Sequence, residues 1–297
     1  MCSMKKRSEF LAAILFVLPA LLVYLFYFII PIPTSAYYSL FNWNGISPDM
    51  QFLGFGNWIS LFNDPVFWKS FINNITLVIA SILIQLPLAL LLALLVSSRF
   101  KGNKLFKLLY FVPMMLSAVA IGMTWNFIYE PNYGLLNSLL SGVGLESLTR
   151  GWLGDPKLAL GAVIVAICWQ YIPFYMVIFI AALAGIPREI MDAAHIDGAS
   201  KVQSFFLITI PLLSNTIKMA SVLSLTGSLK YFALIFVMTL GGPNHASELM
   251  ATYMYKQAFT SFRMGYGSTV AVFIFLISFL LTVIVLRIGR RRALANG

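Results

Sequence analysis

One stretch of the chain concentrates charged side chains between long apolar runs: EIMDAAHIDGAS, residues 189–200. Two aspartates, Asp192 and Asp197, and a histidine, His195, surround the pair Ala193 and Ala194, and Gly198 follows. This is chemistry of charge and shape rather than catalysis. The chain holds no G-x-x-x-x-G-K-[ST] phosphate loop, no H-E-x-x-H and no paired C-x-x-C. His195 and His245 are too few for a histidine metal cluster, and Cys2 and Cys168 define neither a disulfide framework nor a metal spacing. No catalytic residue, no metal site and no cofactor of the chain's own are expected. A second polar set stands at helical spacing: Ser224, Gly227, Ser228 and Tyr231, at i, i+3, i+4 and i+7, share one face. Lys218 and Lys230 are the charged groups of the same segment.

The spacing in the first stretch predicts its local structure. Pro187 suits the first turn of a helix that continues through Asp192, Ala193, Ala194 and Ile196. Asp197-Gly198 stops it, because glycine accepts the positive φ of a helix C-terminus. Ser200 and Gln203 have the S-x-x-Q spacing of a capping box and start a second helix, with Val202, Phe205 and Phe206 as its apolar side and Pro211 beyond. The unit is helix, glycine turn, helix. On the residues alone two readings stay open: a small-residue helix docking into a partner's groove, or an amphipathic loop resting on lipid headgroups.

The elements that position these residues are membrane helices. The chain has 297 residues, 60% of them hydrophobic and only 10% charged, where soluble domains run at about 25% charged. Six runs reach the roughly 20 apolar residues that a span needs, at about 9–30, 72–97, 106–129, 159–183, 207–236 and 268–288. The fold class is therefore all-α and integral to the membrane. The fifth run is long, and its outer end is expected to leave the membrane early. Residues 4–30 read as an uncleaved first helix rather than a signal peptide, because the apolar run is long and no A-x-A site follows.

Placing the N-terminus in the cytoplasm puts Lys5, Lys6, Arg7, Arg99, Lys101, Lys104, Lys107, Arg188, Lys201, Arg287, Arg290, Arg291 and Arg292 inside, thirteen of the twenty basic residues. Residues 31–68 hold none. This bias sets a multi-pass topology with both termini cytoplasmic. It also accounts for the net charge of +10 through anionic lipid, without nucleic acid. The outer acids, Asp49, Asp64, Glu130, Glu146, Asp155 and Glu248, are scattered, and no acid falls in a spanning core. An ion-coupled secondary carrier would be expected to carry such intramembrane groups. The chain is expected to divide into an N-terminal helix and outer loop (1–70), a main transmembrane domain (71–290) and a short cytoplasmic tail (291–297).

The segment IPREIMDAAHIDGASKVQSFFLITIPLL (186–213) resembles the EAA loop of binding-protein-dependent ABC importer permeases. Asp192 stands where that pattern has Glu; Ala193, Ala194 and Gly198 match it, as do Ile208, Ile210 and Pro211 at its end. TLGGP (239–243), YMYKQAFTSFRMGYGSTVAV (253–272) and LPALLVYLFYFIIPIPTSAYYSLFNW (18–43) resemble the carbohydrate branch of that family, the maltose and multiple-sugar type.

The resemblance implies a six-helix permease subunit of the bacterial cytoplasmic membrane, with a cytoplasmic coupling helix between helices four and five. Its partners would be a second permease, two ATP-binding subunits that carry ATP and Mg, and an extracytoplasmic solute-binding protein. Asp192, Ala193, Ala194, His195, Asp197 and Gly198 would meet the ATPase. A sugar would need hydroxyl partners and an aromatic face. Ser224, Gly227, Ser228 and Tyr231 offer these, with Gln170, Tyr171 and Phe174 on helix four and Trp125, Asn126 and Tyr129 on helix three. Helix packing through small residues explains the same pattern and stays open. A glycerol-phosphate-type or other polyol importer is the alternative within the family, given Lys218 and Lys230.

Overall fold

The computed structural model describes residues 14–97 and 103–295. Lys5, Lys6, Arg7, Arg99 and Lys101, which the orientation argument uses, lie outside the described residues, as does the start of the first predicted span. Thirteen helical segments carry the fold: α1 (Ile14–Tyr38), α2 (Gly56–Phe62), α3 (Pro65–Ser97), α4 (Asn103–Met115), α5 (Ala118–Ile128), α6 (Leu135–Gly142), α7 (Ala159–Ala184), α8 (Arg188–Ile196), α9 (Lys201–Leu212), α10 (Ser214–Leu229), α11 (Ala233–Met238), α12 (Met250–Tyr255) and α13 (Met264–Ala295). Among the described residues five helices are long and apolar enough to cross a membrane, and six if a bent pair counts as one span.

Three predicted spans differ in detail. The run 106–129 is not one rod: its two halves, Leu108–Met115 and Ala118–Ile128, meet at 107°. Ser117 causes the restart. Its extended backbone breaks α4, and its side chain accepts a hydrogen bond from Ala120 N, which caps α5. Hydropathy alone does not register a cap. The run 207–236 begins at Ser214, because the apolar residues 207–212 belong to α9, and it breaks again between Leu229 and Ala233. The first span continues past residue 30 through Pro31 and Pro33 to Tyr38.

Prolines explain three of the four π turns among the described residues, the fourth being Lys256–Thr260. Widened π turns occupy Leu25–Ile29, Ser81–Gln85 and Phe205–Thr209, each two residues before a proline, Pro31, Pro87 and Pro211. A proline lacks the N–H for the carbonyl four residues back, and its ring collides with that carbonyl. That carbonyl belongs to Tyr27, Leu83 or Leu207, the middle residue of the π turn in each case. The helix absorbs the mismatch by widening rather than by stopping.

The chain divides into two compact units, residues 1–64 with 254–273, and residues 65–253 with 274–297. In the first, a short antiparallel hairpin pairs Phe41 with Phe52 and Asn42 with Gln51. Buried Asn57 pins it by donating Nδ2 to the carbonyls of Ser39 and Phe41, both at 2.9 Å. Gly265 N donates to Trp43 O at 3.0 Å, which ties the start of α13 to the hairpin.

In the second unit the core forms two clusters. Leu86, Ala89, Leu90, Ala93 and Val96, one face of α3, meet Tyr175, Met176 and Phe179 of α7 and Ala220 of α10. Small alanines at the seam let helices approach closely without a hydrophobic driving force from water. Leu77, Val163, Ala166, Leu234, Ile235 and Leu249 form the other cluster. The opposite faces stay apolar and exposed, as at Leu83, Leu88, Leu91 and Leu95, which suits hydrocarbon or a partner helix.

Candidate translocation cavity and coupling loop

The loop at 187–200 has the predicted glycine stop and capping box, but Pro187, expected in the first turn, precedes the helix as its N-cap. Pro187 sits one residue before α8, with φ −58° and ψ 135°. At the other end Gly198 has φ +78°. Ala199 N donates to Ala194 O at 2.9 Å and Gly198 N to His195 O at 3.1 Å, the two bonds of a Schellman motif. A Cβ on Gly198 would meet nothing within 4 Å, so the backbone conformation, not crowding, asks for glycine. Ser200 then closes a complete capping box: Gln203 N donates to its Oγ at 3.2 Å, and its own N donates to Gln203 Oε1 at 2.8 Å. The turn is thus satisfied entirely by its own residues.

What this loop exposes is specific. Asp192, Ala193, His195, Asp197 and Gly198 are all exposed, whereas Ala194 turns inward and is 6% exposed. The two alanines therefore sit on different sides of α8. Ile196, 85% exposed, Val202 and Phe206 add apolar surface beside the acids. His195 and Met191 line a cavity of about 410 Å³ with Lys201, Ser204, Phe205 and Leu94.

Most of the polar residues of the second set converge. Ser224, Gly227 and Ser228 of α10 line a cavity of about 370 Å³, and Tyr231 lines it from the connector after α10 rather than from the helix itself. Tyr171 and Tyr175 face it from α7, one turn apart. Tyr171 and Tyr231 stand edge to face with ring centroids 6.0 Å apart. Gln170 stands behind this wall, buried, with its Oε1 accepting from the Tyr231 hydroxyl at 3.4 Å.

Three lining residues escaped the sequence reading: Ser81, Gln85 and Tyr175. Ser81 and Gln85 open and close the π turn that Pro87 imposes on α3, and both are 2% exposed. Ser81 Oγ accepts from Ser228 Oγ at 3.2 Å, which joins α3 to α10 across the cavity wall. The available signal was two polar residues in an apolar run just before a proline. Phe174 packs in the core beside Tyr175 and does not line the cavity. Trp125, Asn126 and Tyr129 do not line it either. Trp125 packs edge to face on Trp169 at 5.8 Å, Tyr129 donates to Ala162 O at 3.1 Å, and Asn126 Oδ1 is buried with no hydrogen-bond partner among the described residues.

A third region was illegible beforehand. In residues 239–249 Leu240, Asn244 and His245 all have positive φ, between 47° and 58°, which is rare for residues other than glycine. Glu248, read from sequence as one of the scattered outer acids, is fully buried and lies 2.9 Å from His245 Nδ1. Gly241, at φ +80°, lies so close that a Cβ there would sit 2.5 Å from the Glu248 carboxyl. Thr239 and Ser247 share a hydrogen bond at 2.7 Å. Helix α3 holds the loop from outside. Asn73 Nδ2 donates to Ala246 O at 3.0 Å and Glu248 O at 2.9 Å, and Lys69 Nζ donates to Asn244 O at 2.7 Å. Asn74, fully buried, donates to Ser228 O at 2.8 Å and accepts from Met250 N at 2.8 Å. One side chain thereby serves an end carbonyl of α10 and the first amide of α12.

Residues 85–294 match the family model of the binding-protein-dependent transport system inner membrane component. The chain belongs to that family. A probable ABC transporter permease from Bacillus subtilis strain 168, YurN, is 39% identical over 270 residues, 90% of this chain and 92% of that one. The trehalose/maltose transport system permease MalF of Thermococcus litoralis is 30% identical over 97% of this chain and 96% of its own. The diacetylchitobiose uptake permease NgcF of Streptomyces coelicolor is 30% identical over 91% and 80%. A solved bacterial alginate ABC transporter, in complex with alginate pentasaccharide-bound periplasmic protein, shares the fold with a TM-score of 0.84 over 98% of this chain and 97% of that one, at 22% identity. The chain is thus a multi-pass membrane permease and a transport subunit.

Proposed function

We propose that this chain is one permease subunit of an ATP-driven importer that takes up a sugar or oligosaccharide delivered by an extracytoplasmic solute-binding protein. The observation that carries the substrate class is the 370 Å³ cavity, where serine hydroxyls, a buried glutamine and edge-on tyrosines meet. Hydroxyls and amides serve a sugar's polar rim, and aromatic faces serve its C–H surface. The relatives named for trehalose/maltose and diacetylchitobiose support the same class.

The remaining parts follow from family membership and the loop. A second permease completes the pathway, and two ATPase subunits bind ATP and Mg. Both termini face the cytoplasm, which places α8 and α9 there. Asp192, Ala193, His195 and Asp197 present charge and a small side chain to an ATPase groove, Ala194 anchors α8 from within, and Gly198 sets the turn. When ATP closes the ATPase dimer, the grooves carry the loops together and the spans rock between inward-open and outward-open states. ATP drives this only by binding the outward-open state more tightly than the inward-open one.

The test is sugar uptake by the reconstituted complex carrying Ser228→Ala together with Tyr231→Phe. Uptake should fall at least about tenfold, the loss expected when a site built for hydroxyls loses its partners, while the complex still co-purifies. Undiminished uptake in the double variant removes the cavity from the pathway.

A further inference from the structure

The cavity has a charge asymmetry that a neutral sugar does not explain. Lys230 is the only charged residue among those that line it. It ends α10 as the C-cap, where a cation also complements the helix dipole. Among the described residues its ammonium has neither a hydrogen-bond nor an ion-pair partner. Ala233, the first residue of α11 and also in the lining, offers no carboxylate. Ser81 and Gln85, also in the lining, are buried and uncharged. Lys230 is exposed, so water and salt screen it in part, yet as the one charge of the lining it leaves the cavity net positive and favours an anion there.

Resting on the sugar-import reading, we infer that Lys230 is a specificity-determining residue for a sugar or short oligosaccharide that carries a carboxylate. A single ammonium matches a single carboxylate by charge and by its three donors. A phosphate, with near-double charge and more oxygens, is usually met by an arginine fork or a cradle of backbone N–H groups. The lining holds no arginine, and Lys230 is its only cation. The hydroxyl and phenol walls receive the rest of the sugar.

The test uses the full importer complex with its solute-binding protein in proteoliposomes. Matched disaccharide pairs, each a neutral sugar and its C6-carboxylate counterpart, are compared with the corresponding 6-phosphate by half-saturation of stimulated ATPase. Because the binding protein filters ligands as well, the same series is run as ligand-dependent thermal stabilisation of the complex alone. A carboxylate member should act at about tenfold lower concentration than its neutral twin, the scale of one well-formed charge contact, and added salt should shrink that gap. Lys230→Arg should keep the preference and Lys230→Gln should erase it. Ala233→Asp, which supplies the missing carboxylate within the lining, should erase it too and keeps the test open if Lys230→Gln assembles poorly. Equal twins in the wild type, a preference that survives Lys230→Gln, or a 6-phosphate that outcompetes the carboxylate each overturn the inference and leave sugar import standing. If no member of any pair stimulates or stabilises, the sugar-import reading itself fails.

Discussion

Two loops of the same unit solve the same problem in opposite ways. The loop at 187–200 closes its central turn with its own neighbours: a Schellman pair at Ala194–Ala199 and a capping box at Ser200–Gln203. The loop at 239–249 turns through three strained non-glycine residues and is held by side chains of α3 more than 150 positions earlier in the chain. The first is local and exposed, suited to docking on something else. The second is held by distant contacts and buries an acid, suited to staying where it is put. Its strain persists because Asn73 and Lys69 hold it from α3.

The contrast breaks most readily at its glycines. Gly241→Val combines a left-handed backbone, costing of order 1–3 kcal/mol for a residue other than glycine, with a side chain driven into the Glu248 carboxyl 2.5 Å away. It should prevent recovery of a folded complex, read as loss of the monodisperse peak in detergent. If Gly241→Val folds with an unchanged melting temperature, the loop is far softer than described.

Asn74→Leu comes next. It strips the acceptor from buried Met250 N, an orphan that costs about 1–3 kcal/mol, and one donor from Ser228 O, which keeps Tyr231 N at 3.3 Å. The melting temperature of the complex should fall clearly. Asn74→Asp, which buries a carboxyl against the carbonyls of Ser228 and Leu229, should fall at least as far.

Gly198→Val sharpens the comparison from the other side. Only the φ penalty applies, since open space surrounds the site, so the cost is about 1–2 kcal/mol. The complex should assemble while stimulated ATPase and uptake fall together. Gly198→Asn should restore much of both, because asparagine tolerates φ > 0. Full coupling in Gly198→Val would show that the turn can be reshaped without consequence. The smallest effect belongs to Ser200→Ala, which removes one cap and costs about 1 kcal/mol. It should loosen amide-exchange protection over Lys201–Ser204 and leave that of Met250–Tyr255 unchanged.

The same division separates what was legible from what was not. Hydropathy found the spans because a bilayer imposes length on them, yet it missed the bend at Ser117, since a cap is one side chain inside an apolar run. Helical spacing brought Ser224, Gly227 and Ser228 onto one face, whereas Tyr231 lines the cavity from the connector, since α10 stops at Leu229. Trp125 and Asn126 had the right residue types and lie elsewhere, since type does not say which neighbour a helix turns towards.

By itself the sequence determined much that is governed by neighbours within about one helical turn: most of the spans, the glycine stop and the capping box. Those features depend on backbone conformation and on transfer into lipid, which a short window of residues sets. Only the tertiary structure decided that Ser81 meets Ser228, that Asn74 bridges α10 to α12, and that Glu248 is buried under Gly241. Such contacts join residues far apart in the chain, and which of them form depends on how the helices pack, a choice that no local pattern encodes.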